Sequence, residues 1–362
     1  MNEKQLSRLI INGFKSIREC DLELTELNIL IGPNGAGKSN FINFFQLIQQ
    51  ILEENLQLYV SKQGGPDALL HFGRKETEQI EAELYFGNNG YKFTLEPTQD
   101  NRLVFAKESF WWDKSGDWDK FGTGHFESKI EKQRGKTGIY GYAVPAMKSW
   151  RIYHFHDTSE SAKIKQIHSL NDNSYLRADA SNLAAFLYLL KEKYLSHYQR
   201  IVKTIQLVAP FFGDFFLRPK PDNLEKIELE WIEKGEDIPF KAHHLSDGTL
   251  RFIGLATVLL QPDSFQPETI LIDEPELGLH PYAIKTLAAL LRSASKSKQI
   301  IISTQSVELL NEFEPEDVIV SDRTDGSTYL HRLDAASLTT WLEEYSLGEL
   351  WQKNILGGRP SR

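Results

Sequence analysis

The sequence predicts an α/β fold with a mainly parallel core sheet, an antiparallel β subdomain and a helical lobe. Three patterns carry that expectation. "LNILIG" is a short apolar strand run that ends directly in a glycine-rich turn and is followed by a helical stretch with an apolar stripe. From about Gln79 to Trp112, short alternating runs are broken by "GNNG" and "EPTQDN", which reads as antiparallel hairpins. Near the end, "TILID" and "QIIIST" are two apolar strands separated by a helix, the βαβ rhythm of a parallel sheet.

Taken in order, the opening "LIINGFKSIRECDLELTELNILIGPNGAGKS" holds two short β-like runs before the glycine turn. Residues 40–60 then place Phe41, Phe44, Phe45, Ile48, Ile51 and Leu52 at helical spacing, which predicts one helix packed on a sheet. After the hairpins, "WRIYHFHD" (150–157) is expected to be a strand, and from about Asn182 to Val208 the chain is expected to be helical, with Phe186, Leu189, Leu190 and Tyr194 on one stripe. "LEKIELEWI" (224–232) alternates as a strand. There is no heptad array, internal repeat or low-complexity tract.

Composition narrows the class. The 362 residues are 41% hydrophobic, enough for a sizeable core, and the formal net charge of −9 argues against a general polyanion-coating protein. One cysteine, Cys20, excludes an internal disulfide framework, and no leader pattern opens the chain, so a cytoplasmic protein without a membrane partner is expected. Residues 127–151 carry six Lys or Arg against two Glu, a local excess of +4, with Tyr140, Tyr142 and Trp150 among them. Such a segment is a lead toward nucleic acid, with Lys132, Arg134 and Lys136 at its centre, though most such patches are solvated surface.

Two motifs carry chemistry. "GPNGAGKS" (Gly32, Pro33, Asn34, Gly35, Ala36, Gly37, Lys38, Ser39) fits the G-x-x-x-x-G-K-[ST] phosphate loop in the required strand–loop–helix context. Its amides would cradle phosphate, Lys38 would reach the β/γ oxygens, and the Ser39 hydroxyl would ligate Mg²⁺. In "TILIDEPELGLHP" two adjacent acids end an apolar strand: Asp273 is expected to hold Mg²⁺ and Glu274 to position and deprotonate the attacking water. A third stretch, "LSDGTLRFIGLATVLLQP", looks like a helix N-terminus made for an anion, where Ser246 can cap and Gly248 lets a ligand approach the backbone. His154 and His156 of "HFH" could share a strand face and bind metal, but no Cys or further His lies at ligand spacing, so ordinary histidines are the expectation.

Phosphate loop, "LSDG", "LIDEPELGLHP" and "IIISTQS" stand in the order found in ATP-binding-cassette ATPases. The sequence resembles their RecF, SMC and Rad50 branch, and within it the compact RecF-like P-loop ATPases, over nearly the whole chain from "GFKSI" to "YSLGELW". The resemblance implies an ABC-type head in four stretches: 1–78 with Walker A, 79–157 the antiparallel β subdomain, 158–223 the helical lobe, and 224–362 with signature, Walker B, D-loop and switch segment. It implies ATP and Mg²⁺ as cofactors and a homodimer closed around ATP, with Ser246 and Gly248 of one subunit facing the γ-phosphate held by the other. Lys15 and Ser16 of "GFKSI" resemble the family's first-strand motif.

Three departures qualify the pattern. Gln305 stands where the family commonly has His, so it can hydrogen-bond a phosphate or water but cannot titrate. Asp247 puts a carboxylate where glycine is common, and would repel phosphate unless it pointed aside. No clear Q-loop glutamine is present; His156, Asp157 and Gln63 are the substitutes. The function implied is DNA repair or DNA-associated genome maintenance, with DNA as partner. The alternative is the sensor ATPase of an antiviral or toxin-like system. With only about fifty residues after "TQS", its effector nuclease is expected on a separate chain. A transporter ATPase fits less well, because of Asp247, Gln305 and the long insertion.

Overall fold

The computed structural model describes residues 4–112, 118–130 and 143–358. Lys132, Arg134, Lys136, Tyr140 and Tyr142 lie outside the described residues. In chain order the strands are β1 (Arg8–Phe14), β2 (Ile17–Glu23), β3 (Leu27–Ile31), β4 (Ile80–Phe86), β5 (Asn89–Pro97), β6 (Leu103–Trp112), β7 (Trp118–Lys120), β8 (Arg151–Tyr153), β9 (His168–Ser169), β10 (Phe212–Phe215), β11 (Lys226–Ile227), β12 (Glu230–Glu233), β13 (Pro239–Lys241), β14 (Thr269–Asp273), β15 (Gln299–Thr304), β16 (Val318–Thr324) and β17 (Ser327–Arg332). The helices are α1 (Lys38–Leu52), α2 (Leu56–Gln63), α3 (Ala143–Ser149), α4 (Leu183–Lys193), α5 (Leu195–Val208), α6 (Asp247–Leu260), α7 (Pro281–Ser295), α8 (Val307–Leu310), α9 (Ala335–Leu342) and α10 (Leu347–Gln352).

By its contacts the chain divides into two compact units: Met1–Ile152 with Pro267–Leu271 and Lys298–Arg362, and Tyr153–Gln266 with Ile272–Ser297. The first is built on a twelve-stranded mixed sheet, ordered β7-β6-β5-β4-β1-β2-β17-β16-β3-β15-β14-β8. Its centre is parallel: β3 lies between β15 and β16, with Ile302 beside Ile29 on one side and Val318 beside Ile29 on the other. All five residues of β3 are buried, as a central strand covered on both faces requires. The hairpins of 80–120 continue the sheet outward, since β4 pairs antiparallel with β1, β5 with β4 and β6 with β5. The α/β fold with a mainly parallel core and antiparallel strands is therefore the one found.

Phe41, Phe44, Phe45, Ile48, Ile51 and Leu52 are all buried on α1, each adding about 1.5–3 kcal/mol of apolar burial. Phe45 and Phe86 pack on Trp150, with ring centroids 5.0 and 6.1 Å away. Trp150 is fully buried, so it is a core ring and does not belong to a nucleic-acid footprint. The single helix expected over 40–60 is instead two. α1 stops at Leu52, Glu54 turns into the left-handed region (φ 56°), and α2 restarts because the Glu127 carboxylate accepts the amides of Leu56 (2.8 Å) and Gln57 (3.0 Å). Cys20 is buried, and burial pushes its thiol up to about 12, which makes it inert.

The second unit is mainly helical, around α4, α5, α6 and α7, with a three-stranded sheet β10-β12-β13 and the short pair β11-β9. The helical stretch expected over 182–208 breaks at Tyr194, which together with Phe186 packs its ring against Phe265. α6 buries ten of its fourteen residues, as a helix surrounded by its neighbours must. Among the described residues no helix is long and apolar enough to cross a membrane.

Candidate functional site

In the first unit, the register of β15 on β3 ends with Thr304 beside Ile31, so Gln305 and Gly32 emerge together from the C-terminal ends of two neighbouring parallel strands. That is where ligands bind in open α/β sheets. Gln305 is exposed there, and Ser306 caps α8 by accepting the Leu309 amide. The loop Gly32–Gly37 then turns into α1. Its N-cap is Gly37 at φ 103°, where a Cβ would overlap Thr328, so only glycine fits. No side chain caps this helix and no acid sits in its first turn, which leaves the first amides to an anion. Lys38 is buried, with Nζ donating to the Gly32 (2.6 Å) and Pro33 (3.1 Å) carbonyls, curled over the loop. Asn34, Gly35 and Ser39 are exposed at the mouth, and Ala36 is buried beneath it. The residues present fit a Mg²⁺-nucleotide: uncapped amides and an ammonium for phosphate, and an open hydroxyl for the ion.

Sequence reasoning missed what shapes the loop from below. Ser321 and Thr328 hydroxyls each donate to the Ala36 carbonyl at 2.9 Å, and Arg323 donates to that of Gly35 at 3.0 Å. Thr328 also meets Ser16 (2.7 Å), which accepts from Asn40 (2.7 Å), so the "GFKSI" hydroxyl is tied to α1 and β17 together. Beside them opens a pocket of about 650 Å³ lined by Lys15, Asn40, Asp67, Phe72, Arg74 and Lys75 among others. Arg74 is paired with Asp67 at 2.9 Å, and burial lowers the pKa of Lys15, whose ammonium reaches the Gln63 amide oxygen at 3.2 Å. Gln63 is thus engaged by Lys15 at the rim of this pocket.

In the second unit, Ser246 caps α6 by accepting the Thr249 amide at 3.2 Å. The glycine at 248 has a reason inside the chain: a Cβ there would overlap the Gly278 carbonyl oxygen, so "LSDG" and "ELGL" can approach only through glycine. Asp247 is turned toward Lys165, 3.8 Å away, an ammonium almost fully buried that also donates to the Thr158 carbonyl. The carboxylate that would repel phosphate thus points aside, toward a fixed counter-charge.

Arg251, unnoticed in the sequence, organises this unit's polar end. It donates to the carbonyls of Phe155 (2.9 Å), His156 (3.0 Å) and Leu277 (2.8 Å) and to the Thr158 hydroxyl (3.2 Å). Its reach explains a difference from expectation. β8 ends at Tyr153, not at Asp157, because the carbonyls of Phe155 and His156 are taken by a guanidinium rather than by a strand. Asp157 is exposed and accepts from the backbone and hydroxyl of Ser159. Asp273 and Glu274 are half-buried and line a small cleft with Phe155, His156, Arg251 and Pro275. Glu274 holds φ at 44°, an uncommon left-handed backbone for a residue with a Cβ, and such strain clusters at functional positions. His154 and His156 meet Asp273 here, one ligating atom from each lying within 4.8 Å of the others. Desolvation lowers the pKa of His154, with Asp273 opposing the shift and His156 adding to it.

A family profile described as "AAA domain, putative AbiEii toxin, Type IV TA system" matches residues 27–311. Among curated proteins, a "Putative ABC transporter ATP-binding protein" of Methanosarcina acetivorans is 30% identical over 128 residues, 33% of this chain and 45% of that protein. The DNA replication and repair protein RecF of Aliivibrio salmonicida is 50% identical over 44 residues, 12% of each chain. The chain thus spans less than half the length of these relatives. Among solved structures, an SMC head bound to the C-terminal winged-helix domain of ScpA superposes with a TM-score of 0.61 at 16% identity, covering 92% of this chain and 99% of that one. The Smc head of Pyrococcus furiosus with an extended coiled coil, bound to the C-terminal domain of ScpA, gives 0.60 at 17% identity, covering 94% and 98%. With the phosphate-loop architecture on β3 and α1 and a profile spanning most of its length, the chain belongs to this AAA-domain family of P-loop ATPases, with the fold of an SMC head.

Proposed function

We propose that this chain is a Mg²⁺-dependent ATPase of the RecF/SMC type that closes as a homodimer around ATP and acts on DNA. The observation that carries the reading is the uncapped N-terminus of α1, with Lys38 curled over it and Gln305 emerging beside it from β15. Gly32–Ser39 hold the phosphates, Ser39 and Asp273 hold Mg²⁺, and Glu274 takes the proton of the attacking water. Ser246 and Gly248 at the head of α6 meet the γ-phosphate bound to a second copy, so ATP adds charge-assisted contacts to the interface and hydrolysis removes them. The open basic pocket beside α1 gives Lys15, Arg74 and Lys75 to the remainder of the nucleotide.

The test is size-exclusion chromatography of Glu274→Gln with and without ATP and DNA. A stable dimer with ATP, enlarged by duplex, is expected; a monomer under all conditions overturns the dimer, and an ATP-dimer that ignores DNA overturns the DNA role. The family description, which names an AbiEii toxin, favours a second reading: the sensor ATPase of a defence or toxin system working with a separate effector protein. Co-purification of an effector enzyme instead of DNA would support it.

Gln305 sets the pace in the leading reading. Its amide can orient water or stabilise developing charge but cannot carry a proton, so turnover falls below the common range of about 1–1,000 per second. Gln305→Ala lowers turnover further without weakening ATP binding. Fast wild-type hydrolysis matched by the alanine variant removes Gln305 from the site.

A further inference from the structure

Two histidines at the polar end of the second unit have no part in the scheme above. They sit on the extended run after β8, rings 6.2 Å apart, and neither ring hydrogen-bonds to another described residue. The run is held from behind: Arg251 takes the carbonyls of Phe155 and His156, and the Phe155 ring packs on α6 at Gly254. With Phe155 between them anchored on α6, His154 and His156 each bring a ring nitrogen near Asp273.

We propose that His154, His156 and Asp273 bind a borderline first-row divalent cation of the Zn²⁺ class when no nucleotide is present, and that this cation competes with Mg²⁺-ATP for Asp273. The donor set decides the class. Two imidazoles and one carboxylate suit Zn²⁺ and its neighbours, whereas Mg²⁺ takes oxygen donors and keeps its waters. Metal–ligand distances of about 2.0–2.2 Å put tetrahedral donors roughly 3.3–3.6 Å apart, a spacing within reach of atoms that all lie within 4.8 Å of one another on two exposed histidines and Asp273. Three protein donors leave the fourth position to water, the arrangement of an open rather than a closed structural site. The competition rests on the assignment of Asp273 as the magnesium ligand; the cation site itself does not.

The experiment adds Zn²⁺ or Co²⁺ alone to nucleotide-free protein. Zn²⁺ is read by competition with a chromophoric chelator and Co²⁺ by its visible absorption. His154→Gln and His156→Gln, both exposed and expected to fold, serve as variants. One equivalent bound by the wild type is expected, with affinity at least about tenfold weaker in each variant and the Co²⁺ band altered in both. The chain has ten histidines, so the difference between wild type and variants defines the site. Equal affinity and equal spectra overturn it. In a second arm, saturating ATP and Mg²⁺ are added to wild type in which nucleotide occupancy is measured directly. Weaker Zn²⁺ binding is expected; unchanged Zn²⁺ affinity in nucleotide-loaded protein overturns the shared Asp273. Failure of nucleotide to load counts against the phosphate loop and leaves the first arm to decide the cation site.

Discussion

Lys38→Ala lowers ATP affinity by at least about 100-fold, or about 3 kcal/mol, while the chain stays folded. The lysine is buried, and its ammonium satisfies two loop carbonyls, Gly32 and Pro33. A nucleotide phosphate would draw that ammonium away, replacing neutral acceptors by charged ones, which is the stronger bond. In the alanine variant the half-buried Pro33 carbonyl can accept from water, whereas the buried Gly32 carbonyl loses its donor at a cost of about 1–3 kcal/mol, which leaves the chain folded but less stable. Equilibrium binding of a fluorescent ATP analogue, with circular dichroism as the folding control, decides. Undiminished affinity in a folded variant sinks the phosphate-loop assignment, and Lys38→Met, which restores the apolar stem, should bind as poorly as the alanine.

Ser246→Arg keeps ATP binding by the monomer and abolishes ATP-induced dimerisation and hydrolysis, the latter by at least about 100-fold. A long cation at the exposed head of α6 blocks whatever docks there. The substitution also removes a helix cap, worth about 1 kcal/mol, so Ser246→Ala is the control: it loses the same Thr249 amide partner without adding bulk. Hydrolysis retained in the alanine and lost in the arginine variant places the effect at the interface. Equal loss in both assigns it to the Ser246 hydroxyl, as cap or as phosphate contact, rather than to the added bulk, and normal hydrolysis by a strictly monomeric arginine variant refutes the shared site.

What was legible in the sequence was local. The strand–loop–helix around Gly32–Ser39 and the apolar stripe of α1 lie within about twenty-five residues, where periodicity and turn chemistry speak directly. The cap at Ser246 was legible for the same reason. Long-range side chains were not. Nothing near Asn55 announces that the Glu127 carboxylate starts a second helix, and nothing near His156 announces that Arg251 ends a strand by taking its carbonyls. The aromatic count of the basic segment misled at Trp150, because a ring's role depends on what it packs against, here Phe45 and Phe86. The two histidines looked ordinary because their third neighbour, Asp273, lies more than a hundred residues further on. Asp247 looked hostile to phosphate because its counter-charge, Lys165, belongs to a different stretch of chain.

The support beneath the phosphate loop has a consequence for how the protein is made. β3 leaves the ribosome long before its two neighbours in the sheet, β15 and β16, and the hydroxyls that hold Ala36 come from Ser321 and Thr328. During translation the loop therefore waits through nearly three hundred further residues for the hydroxyls of Ser321 and Thr328 that hold its backbone. Competence to bind nucleotide arrives late and all at once, with the closing of contacts some three hundred residues apart, a step that is intrinsically slow because a long loop must close before any of its contacts reward it. Until then the apolar edges of β3 are unpaired and prone to associate with other chains, so the protein's dependence on chaperones should be concentrated in that interval.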